Sequence, residues 1–279
     1  MTQPPENELG PHSYERFARL PFNQAIDERL LAMGPRRVGS HTDLATGSGA
    51  VIGHCLRLGM YEGASWNATG VDVDSDGLAV AAARFKHLGD HVRFIESGIQ
   101  EEILGIEPAS QDLVTFFNAI HLTDPTLSLR EAARIAKPGA TLLVSSAYEQ
   151  SAMPEPAGRM LLSAMITARK TLVAQGFTEF PRTENLMKHS NRDYRDMAEA
   201  AGFIDVEIVT HEAQMDRVAL KAIFDSRDFA QGVFPAVPLD EAAAALVASI
   251  DPMLERFHTD TLPRNYMLLK ATRAGLPEE

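Results

Sequence analysis

The run Ala45-Thr46-Gly47-Ser48-Gly49 follows Asp43 and Leu44, between a strand candidate and a helix candidate. A chain that turns sharply beneath a bound nucleoside needs residues without a Cβ, because the backbone must come close and adopt unusual dihedrals. The helix start then offers free N–H groups and the positive end of a dipole. Such an end suits an anionic group, a carboxylate in methyl donors or a pyrophosphate in dinucleotides. The plainer alternative is a structural strand-to-helix turn. Asp72 closes a second strand candidate in Gly70-Val71-Asp72-Val73-Asp74. It stands about 20 residues beyond the turn, the spacing at which a carboxylate accepts both hydroxyls of a ribose. Capping of the next helix is the alternative for Asp72, and the natural role for Asp74 or Ser75. Two later strand ends, Ser97-Gly98-Ile99 and Asn118-Ala119-Ile120-His121, complete the series. Ligands of open α/β sheets sit beyond the carboxyl ends of the strands, so these loops share one crevice.

The elements that must position them alternate with a clear rhythm from residue 36 to about 146. Strand candidates at 38–44, 68–73, 92–96, 112–117 and 140–146 are separated by helix candidates at 50–58, 77–88 and 127–136, with a Lys137-Pro138-Gly139 turn before the last strand. This predicts an α/β fold, a doubly wound and mostly parallel sheet. The first strand is an odd member, since Ser40, His41 and Thr42 are too polar for a strand buried on both faces. It is placed by the turn that follows it. After residue 150 the pattern becomes helical, at 153–175, 191–201, 216–230 and 239–257, with strands at 203–210 and 266–272. Residues 14–33 read as one or two amphipathic helices.

Composition narrows the partners. The 279 residues carry 26 basic and 38 acidic side chains, a net charge of -12. That balance disfavours a nucleic-acid surface, which needs a basic stripe to displace counterions. Cys55 is the single cysteine, so no intramolecular disulfide is expected. Residues 1–10 lack the charged start and apolar core of a signal peptide, and no run approaches the roughly 18 apolar residues of a membrane span. A cytoplasmic location is the expectation; the oligomeric state stays open. His87 and His91 are separated by a Gly89-Asp90 turn and have no evident third ligand, so no metal site is expected.

Taken in order, Ala45 to Gly49, Gly70-Val71-Asp72, Val92 to Glu96, Phe116 to Leu122 and Arg130 to Gly139 resemble the class I S-adenosylmethionine-dependent methyltransferases. The closest flavour is the ubiquinone/menaquinone-biosynthesis type. The resemblance covers 36–146 together with 191–210. It implies S-adenosylmethionine as cofactor, with Asp43, Ala45, Thr46, Gly47 and Gly49 lining its methionine end. Asp72 is then expected on the ribose, Val73 on the adenine face, Gly98 and Ile99 at the adenine edge, and Asn118 beside the sulfonium. Tyr14 matches an N-terminal lid helix. The implied organisation is a lid at 1–35, a cofactor-binding core at 36–150, a helical cap at 151–190, and the remainder of the core at 191–279 with a helical insertion at about 211–264. Three departures stand out: Ala45 replaces the family's first glycine, Gly98 replaces an acidic residue, and 211–264 is far longer than a hairpin.

Methyl transfer needs alignment and exclusion of water more than covalent help. A base is required where the acceptor must lose a proton. His121 is the candidate base, because histidine titrates near neutral pH. Tyr148 and His189 are candidates for substrate binding, with Tyr194 behind them. The Met and Phe residues after position 150 (Met153, Met160, Met165, Phe177, Phe180, Phe224, Phe229, Phe234) suit a small aromatic or lipophilic acceptor; ordinary core packing is the alternative. Two rival functions fit the same residues. Gly47, Gly49 and Gly53 could form the fingerprint of an NAD(P)-dependent oxidoreductase, and a fold alone does not exclude a non-catalytic S-adenosylmethionine-binding scaffold.

Overall fold

The computed structural model describes residues 15–100, 102, 103, 105–181 and 189–275. Seven strands form one sheet in the order β3-β2-β1-β4-β5-β7-β6: β1 (Ser40–Leu44), β2 (Asn67–Asp72), β3 (Val92–Glu96), β4 (Gln111–Phe117), β5 (Ala136–Ser146), β6 (Phe203–Met215) and β7 (Leu262–Arg273). The first five pair in parallel, and β7 runs antiparallel to β5. Helices α1 (Glu15–Ala18) and α2 (Pro21–Leu31) precede β1; α3 (Ala50–Arg57), α4 (Ser75–Phe85) and α5 (Pro125–Ile135) alternate with the parallel strands. Strand order reverses between β1 and β4, which makes their carboxyl ends the switch point of the sheet.

Local chemistry sets the helix starts. Asp74 caps α4 by accepting the Asp76 N–H at 3.1 Å, as expected of it. Asp124 caps α5 through Thr126 and Leu127, with Pro125 in the first turn. On one face of the sheet behind the switch point, Leu44, Val71, Val114, Phe116, Leu142 and Val144 are fully buried in one cluster.

The polar first strand is explained by pairing. Ser40, His41, Thr42 and Asp43 are all buried, and three of the four find partners. Asp112 accepts the Gly39 and Ser40 N–H groups at 3.0 and 2.9 Å, while Lys137 Nζ donates to its other oxygen at 2.6 Å. Partial burial pushes the Asp112 carboxyl up, but Lys137 and Ser40 outweigh it and hold it below its usual range. Thr42 Oγ1 alone has no partner. The same bonds revise the Lys137-Pro138-Gly139 turn. These residues lie inside β5, where the register steps from Gln111↔Ala136 to Leu113↔Thr141. Gly139 takes φ 81° at that irregularity, a conformation that suits glycine.

The chain divides into two compact units. One comprises Ala25–Gln150, Met187–His211 and Tyr266–Glu279, the other Met1–Gln24, Ser151–Leu186 and Glu212–Asn265. The first holds the parallel strands and α7 (Asn191–Ala200), which opens with a capping box from Ser190 and Asp193. The second is helical: α6 (Ala157–Ala174), α8 (Arg217–Phe224), α9 (Arg227–Val233), α10 (Leu239–Ala248) and α11 (Ile250–Phe257). Ala157, Met160, Ala164, Ala168 and Leu172 form the buried stripe of α6, against Phe224, Phe234, Leu246 and Met253. The expected helix at 239–257 is two helices, broken at Ser249; Pro252 lacks the N–H that would continue α10. The expected helix at 216–230 likewise divides, at Asp225 and Ser226. Among the described residues, no helix is long and apolar enough to cross a membrane, and no His/Cys/Asp/Glu group is arranged to hold a metal.

Candidate cofactor and active site

Asp43 lies near the carboxyl end of β1, directly opposite Thr115 of β4. Its carboxylate is 1% exposed. Thr46 Oγ1 donates to Oδ2 at 2.7 Å and Thr115 Oγ1 donates to Oδ1 at 2.6 Å. Burial raises its pKa to about 7, against the two hydroxyls, and the nearby Asp72 adds to the rise. Asp27 of α2 is a second buried carboxyl held well above the usual range, by burial first and then by Asp43 and Glu28. Buried acids of this kind gather free energy from a neighbouring cation, which restores their charged form.

The turn after β1 is built around Asp72. Thr46 N–H donates to Val71 O at 3.0 Å, and Gly47 N–H donates to Asp72 Oδ2 at 2.7 Å. Asp72 Oδ1 accepts the Asp74 N–H at 2.9 Å. The carboxylate at the end of β2 therefore clamps the loop that leaves β1. The turn glycines serve different ends. A Cβ on Gly49 would meet Phe85 Cε2 at 2.6 Å, and one on Gly70 would meet Phe94 Cδ1 and Thr46 Cγ2 at 2.7 Å. Those two let elements pack. Gly47, at φ 51°, would place a Cβ with no atom within 4 Å, so it leaves room on the rim. Ala45 takes φ 54° without being glycine.

Farther along the rim, Val73 is 71% exposed and Gly98 has open space about it. Ile99 is buried in the core cluster, and Ser97 N–H ties the loop to Asp72 O at 2.9 Å. Asn118, at φ 50°, is a brace: its Oδ1 accepts the Ala147 N–H at 3.0 Å, and its own N–H reaches Ser145.

His121, Tyr148, Tyr194 and His189 come together at the ends of β4 and β5. His121 is 8% exposed and stacks on Tyr148, with ring centroids 4.1 Å apart. Ser146 Oγ lies 3.3 Å from His121 Nδ1 and accepts the Tyr148 N–H at 3.1 Å. His189 meets Tyr194 edge-on at 5.6 Å. Burial raises the Tyr194 hydroxyl to about 12, against the neighbouring Ser146 and with Glu149 adding to the rise. Tyr14 lies outside the described residues.

The rim fits a cofactor that joins a cationic amino acid to a nucleoside: buried acids at one end, an open glycine turn, a ribose-ready carboxylate, then an exposed apolar face at Val73. Sequence reasoning missed Thr115, Ser146 and Asp27. A lone hydroxyl in the apolar run Leu113-Val114-Thr115-Phe116 was the available signal for Thr115.

The chain is similar to known proteins over part of its length. The methyltransferase domain family matches residues 42–144. An arsenite methyltransferase of Aquipseudomonas alcaligenes is 34% identical over 113 residues, 38% of this chain and 32% of that one. A ubiquinone biosynthesis O-methyltransferase of Hahella chejuensis is 31% identical over 142 residues, 50% of this chain and 54% of that one. The chain thus spans about a third to a half of the length of these curated relatives. Among solved structures, phosphoethanolamine N-methyltransferase 2 of Haemonchus contortus, in complex with phosphomonomethylethanolamine and S-adenosylhomocysteine, superposes with a TM-score of 0.58 at 19% identity, covering 94% of this chain and 56% of that one. At that identity the likeness is one of fold. Over residues 42–144 the chain is similar to the methyltransferase domains.

Proposed function

We propose that the chain is an S-adenosylmethionine-dependent methyltransferase whose acceptor is a small aromatic or lipophilic molecule. One observation carries the cofactor assignment: two carboxylates, Asp43 and Asp72, end neighbouring strands and are joined through a turn whose Gly47 leaves its outer side open. In this reading Asp43 and Thr46 hold the methionine ammonium, and the open side of the turn at Gly47 borders the rest of the amino-acid end. Asp72 exchanges backbone donors for ribose hydroxyls. Val73, Gly98 and Ile99 border the adenine, and Asn118 keeps the β4 end beside the reacting centre.

When bound, S-adenosylmethionine supplies a methyl group on a sulfonium, open to in-line displacement. The chain's part is to orient the acceptor, keep out water and take a proton where one must leave. His121 is the assigned base, its ring held by Ser146 and Tyr148. Tyr148 and His189 are the assigned acceptor contacts. The aromatic surroundings support a planar or lipophilic acceptor. The Met160, Phe224 and Phe234 side chains do not add to that support, because they pack in the helical unit's own core. A net charge of -12 supports a small molecule over a nucleic acid as partner, and a lone cysteine suits the cytoplasm.

The experiment is transfer of a labelled methyl group from S-adenosylmethionine to a panel of phenols, quinols, prenyl compounds and small charged amines. Products are expected from the aromatic and lipophilic members. Transfer to the charged amines alone contradicts the acceptor class.

A further inference from the structure

Beneath Asp43 a file of buried polar groups runs back into the sheet. Thr115 Oγ1 donates to Asp43 Oδ1 at 2.6 Å. His41 Nε2 lies 2.8 Å from Thr115 Oγ1, and His41 Nδ1 lies 2.7 Å from the Tyr61 hydroxyl. His41 and Thr115 are 0% exposed. Such a chain in a strand interior is costly unless every member is satisfied, and an apolar residue at position 41 would fill the same place without needing partners. The proton count fixes its direction once Asp43 is charged. Thr115 has one hydroxyl proton, which goes to Asp43, so it must accept from His41. His41 then carries its proton on Nε2 and accepts at Nδ1 from the Tyr61 hydroxyl. Burial keeps the ring neutral, with its pKa lowered to about 3, so the file carries orientation and not net charge.

We infer that His41 is a positioning residue for the methyl donor, holding the Asp43 carboxylate toward the donor's ammonium through Thr115, with Tyr61 setting the tautomer of the imidazole. The inference rests on the donor site proposed above. It concerns the amino-acid end of the donor alone. A ligand that keeps the nucleoside but lacks the amino acid does not meet Asp43, and so does not depend on His41.

The test compares S-adenosylhomocysteine with 5′-methylthioadenosine, which lacks the amino-acid carboxylate and ammonium, by calorimetric titration of the whole chain. His41→Phe is expected to weaken S-adenosylhomocysteine about tenfold while methylthioadenosine changes less than about twofold. His41→Gln, which can return an N–H to Thr115, is expected to recover most of the loss. Equal weakening of both ligands marks a merely structural histidine and overturns the inference, as does no change in either. Wild-type protein that binds neither ligand overturns the donor site itself, a separate result. Nitrogen NMR of the histidine rings needs no variant: with S-adenosylhomocysteine bound, His41 is expected protonated on Nε2 and bare on Nδ1. The opposite tautomer overturns the inference.

Discussion

Asp72 Oδ2 accepts the Gly47 N–H at 2.7 Å, which ties the end of β2 to the turn leaving β1 before any ligand arrives. The same carboxylate is the one assigned to the ribose, and its bonds to the Gly47 and Asp74 N–H groups fix its position in advance. Asp72→Ala is expected to weaken S-adenosylhomocysteine by at least tenfold with the circular dichroism spectrum unchanged. Unchanged affinity would mean that the ribose is held elsewhere.

The pH dependence of binding follows from Asp43. In the free protein its pKa is about 7, raised by burial, so below that pH the carboxyl is neutral. An ammonium ligand favours the charged form. Affinity for S-adenosylhomocysteine should therefore fall by roughly tenfold per pH unit as pH drops below about 7. Asp43→Asn should bind weakly with a flat profile. Asp27 and Asp72 also bear on this carboxyl, and a wild-type profile flat between pH 5.5 and 8 would remove Asp43 from the ammonium site.

Stability carries the opposite sign. A carboxyl whose folded pKa is raised stabilises the fold below its unfolded value, near 4, and that contribution is lost as pH rises through about 7. Asp43→Asn removes that contribution. Its melting temperature relative to wild type should climb between pH 5 and pH 8, by several degrees on the order of what a few kcal/mol produces. A constant difference across that range contradicts the raised pKa.

Two glycines in one turn should fail differently. At Gly49 an added Cβ would strike Phe85 at 2.6 Å with φ at 77°, so Gly49→Ala should destabilise the fold by roughly 2–4 kcal/mol. At Gly47 the space is open, and Gly47→Ala should cost about 1 kcal/mol while impairing donor binding. Chemical denaturation and titration of both variants separate packing from ligand approach.

His121 is assigned to the chemical step. His121→Ala should lower kcat by 10²–10⁴ (on the order seen for general bases) for acceptors that must lose a proton, and leave donor affinity within about twofold. A Kd change without a kcat change would make the histidine structural.

The parallel sheet was legible in the sequence because most of its strands are short runs with apolar residues closed by Gly, Asp or Asn, with helices between them, and the polar first strand was placed by its turn. Asp43, the glycine turn and Asp72 were legible for the same reason, since each sits where a strand must stop. His41 was not. Its polarity looked like a defect in a buried strand, and its partners Tyr61 and Thr115 lie far along the chain, so only folding reveals that the defect is a paired network. Lys137-Pro138-Gly139 misled in the converse way. Pro and Gly usually mark a turn, but Asp112 holds Lys137 against β1 and the irregularity stays within β5. The break at Ser249 escaped because the apolar spacing runs on through it.

The account stands on a methyl-donor nucleoside binding at the ends of β1 and β2. Thermal melting of the whole chain with S-adenosylhomocysteine, and separately with NAD and NADP, tests that claim most directly. A rise in melting temperature that grows with S-adenosylhomocysteine concentration, and none with either dinucleotide, is the predicted result. A rise with a dinucleotide and none with S-adenosylhomocysteine would contradict it.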